Sequence, residues 1–283
     1  MCARGLPNPI GELRYVVAEQ LVLHTRVVSG AGGGPEKTII NSPRFLVDKG
    51  YPMLCAYMRP PGDLQFQTLQ QRAAEKQATI IPVDDNGAFD WRVISRMNEL
   101  CREHRPAIWH GHDYKSNLLG LFSRRAVPMR LVTTVHGWVH RTWKTPLYYA
   151  IDKWCLRYYE HVICVSRDLY EAVRDMGVPD DRRTFIPNAI DIDEFVRSRT
   201  QCEARADAGH DAKKLVVGAV GRLSAEKGFH LLIEAFMRVV REQDINAELW
   251  IVGDGPERAR LERLVESSGS GGYVRLQIGR AHV

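Results

Sequence analysis

One feature constrains this chain more than any other: a rhythm that breaks once and restarts. Short β-branched runs alternate with amphipathic stretches of helical length. Strands are predicted at 21–28, 52–57, 79–83, 107–110, 131–135, 161–165 and 184–186. Helices are predicted between them at 35–48, 65–76, 91–104, 115–125, 146–159 and 167–176. Strands alternating with helices of this length imply a parallel sheet covered on both faces. The stretch 196–214 is polar and has no clear apolar period, which predicts a boundary region. The alternation then resumes with strands at 215–220, 248–252 and 273–276 and helices at 228–241 and 256–266. The fold class expected is therefore α/β, two parallel-sheet domains at 1–210 and 211–283. The second has fewer strands than a doubly wound sheet usually needs and is expected to be incomplete.

Composition narrows the function classes. The 283 residues are 45% hydrophobic and 26% charged, which excludes a disordered or collagen-like chain. The formal net charge of +5 permits a phosphate-bearing ligand or an anionic membrane surface and does not call for nucleic acid. Cys2, Cys55, Cys101, Cys155, Cys164 and Cys202 include no Cys-x-x-Cys pair, and they read as reduced thiols of a cytoplasmic protein. Residues 1–20 lack the apolar core of a secretory signal, and no run of 18 apolar residues occurs. Residues 278–283 read as the translation of a sequencing adapter, so the chain is expected to be a fragment.

Glycines cluster after the first strand. Gly32, Gly33 and Gly34 let the backbone approach a ligand, and the helix that Pro35 opens favours an anion at its start. This is not a Walker A loop, because Glu36 stands where glycine belongs before Lys37 and Thr38. It is not a dinucleotide fingerprint either, since Pro35 replaces its last glycine and the next strand ends at Arg59. The plain alternative is a strand-to-helix turn. His110, His112, Asp113 and Lys115 follow one strand and His136 another, and ligands of open α/β sheets bind beyond such strand ends. Three readings stand side by side: ligand or catalytic contact, hydrogen-bonded structural histidine, and a metal site on His110 and His112. Against the last, His136 and His140 lack the intervening glutamate of a zinc helix.

Residues 138–159 are rich in aromatics, interleaved with Arg141, Lys144, Lys153 and Arg157. Leu147, Ile151, Trp154 and Tyr158 share one helical face, which is predicted to pack on the core. The alternative is an interfacial patch that touches anionic lipid or an acceptor. The strongest signal lies in the second domain. Gly221 and Arg222 close a strand, and Lys227 and Gly228 open the next helix. An arginine and a lysine five apart across such a turn can clamp a diphosphate, one as a planar fork and the other as a point charge. The helix N-terminus adds partial positive charge. Gly253, Asp254 and Gly255 sit at the next turn.

Gly221-Arg-Leu-x-x-Glu-Lys-Gly228, Leu232-Ile-Glu-Ala-Phe236 and Val252-Gly-Asp-Gly-Pro-Glu257 resemble the donor-binding half of the retaining GT-B glycosyltransferases of family 4. Val165-Ser166 and Ile186-Pro-Asn-Ala-Ile-Asp191, which contains Asn188, match two further family signatures. The resemblance implies two Rossmann-like domains, the first on the acceptor side and the second binding a nucleotide-diphospho-sugar. It implies that Arg222 and Lys227 neutralise the diphosphate, that Gly33 and Gly34 offer backbone N–H groups to it, and that His136 lies near the transferred sugar. His110, His112, Asp113, Lys115 and Asn188 would line the acceptor side or cleft. No metal or other cofactor is implied, because cationic side chains and helix ends offset the leaving-group charge. The acceptor would be a glycan or a lipid-linked sugar, with peripheral contact at the inner membrane face. Ala189 departs from the family's usual glycine, and the family's Glu-x7-Glu segment is absent, so the chain itself is expected to be inactive or weak. The alternatives are a nucleotide-sugar epimerase of the same fold, a metal-dependent hydrolase built on His110, His112 and Asp113, and a non-catalytic nucleotide-sugar-binding module.

Overall fold

The computed structural model describes residues 20–87, 90–138, 145–207 and 214–278. The expectations for 1–19, His140, Arg141, Lys144 and the tail beyond 278 lie outside the described residues. The chain divides into two compact units, Met1–Glu194 and Phe195–Val283.

The first unit carries β1 (Val22–Val27), α1 (Gly34–Asn41), α2 (Pro43–Leu46), β2 (Met53–Arg59), α3 (Phe66–Glu75), β3 (Thr79–Asp84) and α4 (Arg92–His104). It continues with β4 (Ile108–Gly111), α5 (Tyr114–Ser123), β5 (Arg130–Val135), α6 (Thr145–Leu156), β6 (His161–Cys164), α7 (Arg167–Asp175) and β7 (Arg183–Phe185). The seven strands form one parallel sheet in the order β3-β2-β1-β4-β5-β6-β7. Successive residues of β2 point to opposite faces. Ala56 and Met58 join a core with Trp109, Leu131 and Tyr159, while Cys55 and Tyr57 join another with Ile39, Phe66 and Leu69. That alternation between two apolar layers is why the strands read as near-continuous hydrophobic runs.

The second unit carries α8 (Gln201–Asp207), β8 (Leu215–Val220), α9 (Phe229–Gln243), β9 (Ala247–Val252), α10 (Arg258–Ser267) and β10 (Val274–Gln277). Its strands are parallel in the order β10-β9-β8. α9 and α10 pack Ile233, Phe236, Leu261 and Val265 onto Leu249 and Ile251 of the central strand.

Three details differ from the sequence reading. The helix predicted over 35–48 is broken, because Pro43 has no N–H to continue α1 and instead opens α2. The units divide at 194/195 rather than 210/211. Residues 196–201, 204 and 205 line a hollow with Val216 of β8 and Trp250 of β9, and α8 forms there behind a reciprocal cap. In that cap Thr200 Oγ1 accepts from the Glu203 N–H at 3.3 Å, and Glu203 accepts from the Thr200 N–H at 2.8 Å. Finally, of the α6 face predicted to pack inward, Ile151 packs against the core but the other three residues point outward. Leu147 and Trp154, with Tyr158 just beyond the helix, are 60%, 48% and 51% exposed, while Cys155, Leu156 and Tyr159 are buried. No described helix is long and apolar enough to cross a membrane.

Candidate active site

The strand order reverses between β1 and β4, the topological switch point at which open α/β sheets bind ligands. Registry places His24 of β1 directly beside His110 of β4. Their rings lie 4.6 Å apart, and the His112 ring stacks 4.4 Å beyond that of His110. His136 follows β5, the next strand over. His24 Nδ1 meets His112 Nε2 at 2.9 Å, and His112 Nδ1 meets His136 Nε2 at 3.2 Å. His110 Nε2 pairs with Thr134 Oγ1 at 2.8 Å. Burial lowers the pKa of His24 and of His136 to about 4, and it lowers those of His110 and His112 well below the ordinary value, helped by the neighbouring rings.

The residues around this cluster hold the strand ends in place. Asp113 caps α5 by accepting from the Ser116 N–H at 2.9 Å, and its other oxygen accepts from the Val27 N–H at 2.7 Å. Arg26 pairs with the buried Glu36 and donates to the His112 carbonyl at 3.1 Å. The same Glu36 accepts from the Gly33 N–H at 2.6 Å. A side-chain carboxylate thus occupies the start of α1, where the glycine loop was expected to meet phosphate. Gly32 is in the left-handed region at φ +73, and Gly34 is exposed. Lys115 does not reach a cleft. Its buried ammonium group donates to Asp85 and to the Gly87 carbonyl, each at 2.6 Å.

Beside His136 lies a hollow of about 390 Å³ lined by Arg26, Asp113, Tyr114, Trp138, Tyr148 and Asp152 among others. Tyr114 and Tyr148 stack face to face at 4.5 Å. Asp152 is buried and accepts from Asn117 Nδ2 at 2.7 Å and Trp138 Nε1 at 3.0 Å. Burial raises its pKa, and those two hydrogen bonds oppose the rise. Sequence reasoning missed His24, Glu36 and Asp152. His24 is the first of three polar residues in β1, with Thr25 and Arg26, and a buried polar group in a central strand is itself a signal.

His24, His110 and His112 offer three nitrogens within 4.8 Å of one another, the spacing of a metal site. Two neighbours weigh against a cation there: His24 and His112 already hydrogen-bond each other, and the Arg26 guanidinium places a positive charge alongside. Asp113, the carboxylate of the hydrolase alternative, is occupied by two backbone N–H groups.

In the second unit, Arg222 and Lys227 are both exposed, at the two ends of the turn that leads into α9. Glu226 between them accepts from Ser224 at 2.7 Å, and chiefly that bond, with the two cations, holds its carboxyl below the usual range. Gly228 takes φ +64 ahead of Phe229. The turn at Gly253, Asp254 and Gly255 lies against this loop. The Leu223 N–H donates to the Asp254 carbonyl, and the Glu257 N–H to the Leu223 carbonyl, both at 2.9 Å. A Cβ at Gly253 or Gly255 would strike the carbonyl of Gly221 or of Leu223, so these glycines are needed for the two loops to meet. Gly221 itself packs near Phe229. Asn188 is exposed in the segment after β7, which Asp191 ties to Arg44.

Solved structures place this architecture. The crystal structure of Anabaena HepE in complex with UDP superposes with a TM-score of 0.73 over 93% of this chain and 70% of that one, at 18% identity. A glycosyltransferase from Rickettsia africae superposes with a TM-score of 0.70 over 91% and 68%, at 15% identity. Two parallel α/β units of this kind are those of the GT-B glycosyltransferases. The chain belongs to Glycosyltransferase Family 4, whose family model matches residues 32–194, and the model for glycosyl transferases group 1 matches residues 200–278. Among curated relatives, the Rhizobium meliloti lipopolysaccharide core biosynthesis glycosyltransferase LpsD is 38% identical over 42% of this chain and 33% of its own length. The Streptococcus pneumoniae alpha-monoglucosyldiacylglycerol synthase is 27% identical over 59% and 41%. The Mycolicibacterium smegmatis GDP-mannose-dependent alpha-(1-6)-phosphatidylinositol monomannoside mannosyltransferase is 30% identical over 64% and 48%. The chain thus spans a third to a half of the length of these relatives.

Proposed function

We propose that this chain comes from a retaining glycosyltransferase that moves a sugar from a nucleotide-diphospho-sugar to a glycan or lipid-linked acceptor. The observation that carries the reading is the exposed Arg222 and Lys227 pair ahead of α9, on a loop braced by the Gly253–Gly255 turn. These cations neutralise the diphosphate and stabilise its charge as the sugar–phosphate bond breaks. The acceptor hydroxyl attacks from the leaving-group side, its proton passes to the donor phosphate, and no resident metal is required. Family membership and the names of the relatives support the reaction class. The outward aromatic face at α6, with Lys153 and Arg157 beside it, supports an acceptor presented at a membrane surface in the cytoplasm.

Calorimetry with UDP, ADP and GDP should find one nucleotide preferred. Arg222→Ala and Lys227→Ala should each weaken that binding by about 1.5–3 kcal/mol, the scale of a hydrogen bond to a charged group. That corresponds to roughly ten- to a hundredfold in Kd. Unchanged affinity in both variants removes the clamp and, with it, the donor assignment.

A further inference from the structure

Asp152 sits on α6 and is 7% exposed. A buried carboxylate costs stability unless its oxygens are met. Here two neutral donors meet them, one from beyond each of two strands. Asn117 Nδ2 of α5 donates to Oδ1 at 2.7 Å, and Trp138 Nε1 donates to Oδ2 at 3.0 Å. α5 follows β4 and His112, and Trp138 follows β5 and His136. Asp152 therefore fastens together the segments beyond β4 and β5. His136 stands between two tethers. Its Nε2 meets His112 Nδ1 at 3.2 Å, and the Trp138 indole is held two residues further on. Gly137 between them takes φ +111, and a Cβ there would meet nothing within 4 Å. Glycine is needed at that point for the path of the backbone, not for space. The Lys153 ammonium lies 5.2 Å from the centre of the Trp138 ring, and the indole also packs on the core.

Replacing both partners of a buried hydrogen bond by apolar groups of the same shape can leave stability nearly unchanged. Stability alone thus gives no reason for a carboxylate at this place. Position gives one, because a single short side chain here holds two segments at once. We propose that Asp152 is a positioning residue, which through the Trp138 indole fixes the turn that presents His136 to the hollow. The inference rests on the glycosyltransferase reading for what His136 meets there. In such a reaction a displacement of roughly 1 Å costs on the order of a hundredfold in rate. The hold on the turn is a property of the protein without substrate.

Histidine NMR of the chain, titrated from pH 7 to 5, reads how firmly His136 is held. Burial holds its pKa at about 4, Arg26 adds to the lowering and Glu36 opposes it. The His112 ring stacks against it, and Asp113 and Asp152 line the same hollow. A turn released from Asp152 exposes the ring to water, and its pKa rises toward 6.5. Trp138→Phe removes the indole N–H and keeps every charge. Asp152→Asn keeps the volume, but its one amide oxygen cannot take the place of both carboxylate oxygens. Wild-type His136 should stay neutral down to pH 5. In both variants it should take up its proton above pH 5, while His24 stays neutral. The double variant should behave as the single ones do, because all three break the same bond. An unmoved His136 in either folded variant overturns the proposal, and so does an equal rise at His24, which marks general loosening. Should the variants fail to fold, the wild type decides: its Trp138 indole proton should exchange slowly with solvent, and rapid exchange overturns the proposal. Loss of nucleotide binding would count against the glycosyltransferase reading and leave the His136 result standing.

Discussion

At the scale of single residues, charge and burial decide most of what this site can do. A proton on His24 would place a cation 4.6 Å from the His110 ring, away from water. Burial lowers the folded-state pKa of His24 from 6.5 to about 4. The unfolded chain then binds the extra proton first as pH falls, so stability is full above pH 6.5 and is lost between 6.5 and 4. For this ring alone the loss is roughly 3 kcal/mol, and His110 and His112 shift the same way. Urea midpoints should therefore fall steeply over that window, and a flat profile from pH 7 to 4.5 would contradict neutral burial of the cluster. The sequence placed His112 and His136 just past strand ends correctly, while His110 lies within β4. It could not show that Glu36 fills the start of α1 or that Lys115 turns to Asp85, because both are choices between partners that meet only in the fold.

At the scale of elements, α5 shows how packing overrides propensity. Gly120 lies mid-helix, where glycine costs about 1 kcal/mol relative to alanine. Propensity alone predicts that Gly120→Ala stabilises. An added Cβ would stand 2.6 Å from Tyr159 Oη and 2.7 Å from Trp109 Nε1. Both groups are buried and held, Tyr159 by donating to the Asn117 carbonyl at 2.8 Å and Trp109 by donating to the Ser116 carbonyl at 3.2 Å. Overpacking of this kind costs about 1–3 kcal/mol, so the variant should be less stable than wild type in urea. A raised midpoint would show that the contact relaxes freely. The same competition explains α6. Periodicity identified an amphipathic helix, but aromatic side chains occur on both of its faces, and only the sheet decides which one is covered. For α8 the signal was present: Thr200 and Glu203 have the spacing of a reciprocal cap, hidden in a stretch without apolar period.

At the scale of the whole molecule, each unit has its own apolar core, and the contacts divide at Glu194/Phe195. Arg197 is exposed just beyond the division. Brief trypsin treatment should cut there and leave a first-unit fragment whose buried histidines remain neutral at pH 7. Fragmentation throughout the first unit at the same protease dose would argue against its independence. The sequence by itself determined the alternating elements, their parallel pairing and the placing of Arg222 and Lys227 around one turn, because these follow from local periodicity and from residues close together in the chain. Tertiary structure alone decided the row of histidines and the Arg26–Glu36 pair. β1 and β4 are separated by 80 residues of chain, and only the sheet order sets His24 beside His110. Local propensity carries no information about such a meeting. Registry between distant strands does, and it exists only once the sheet has formed.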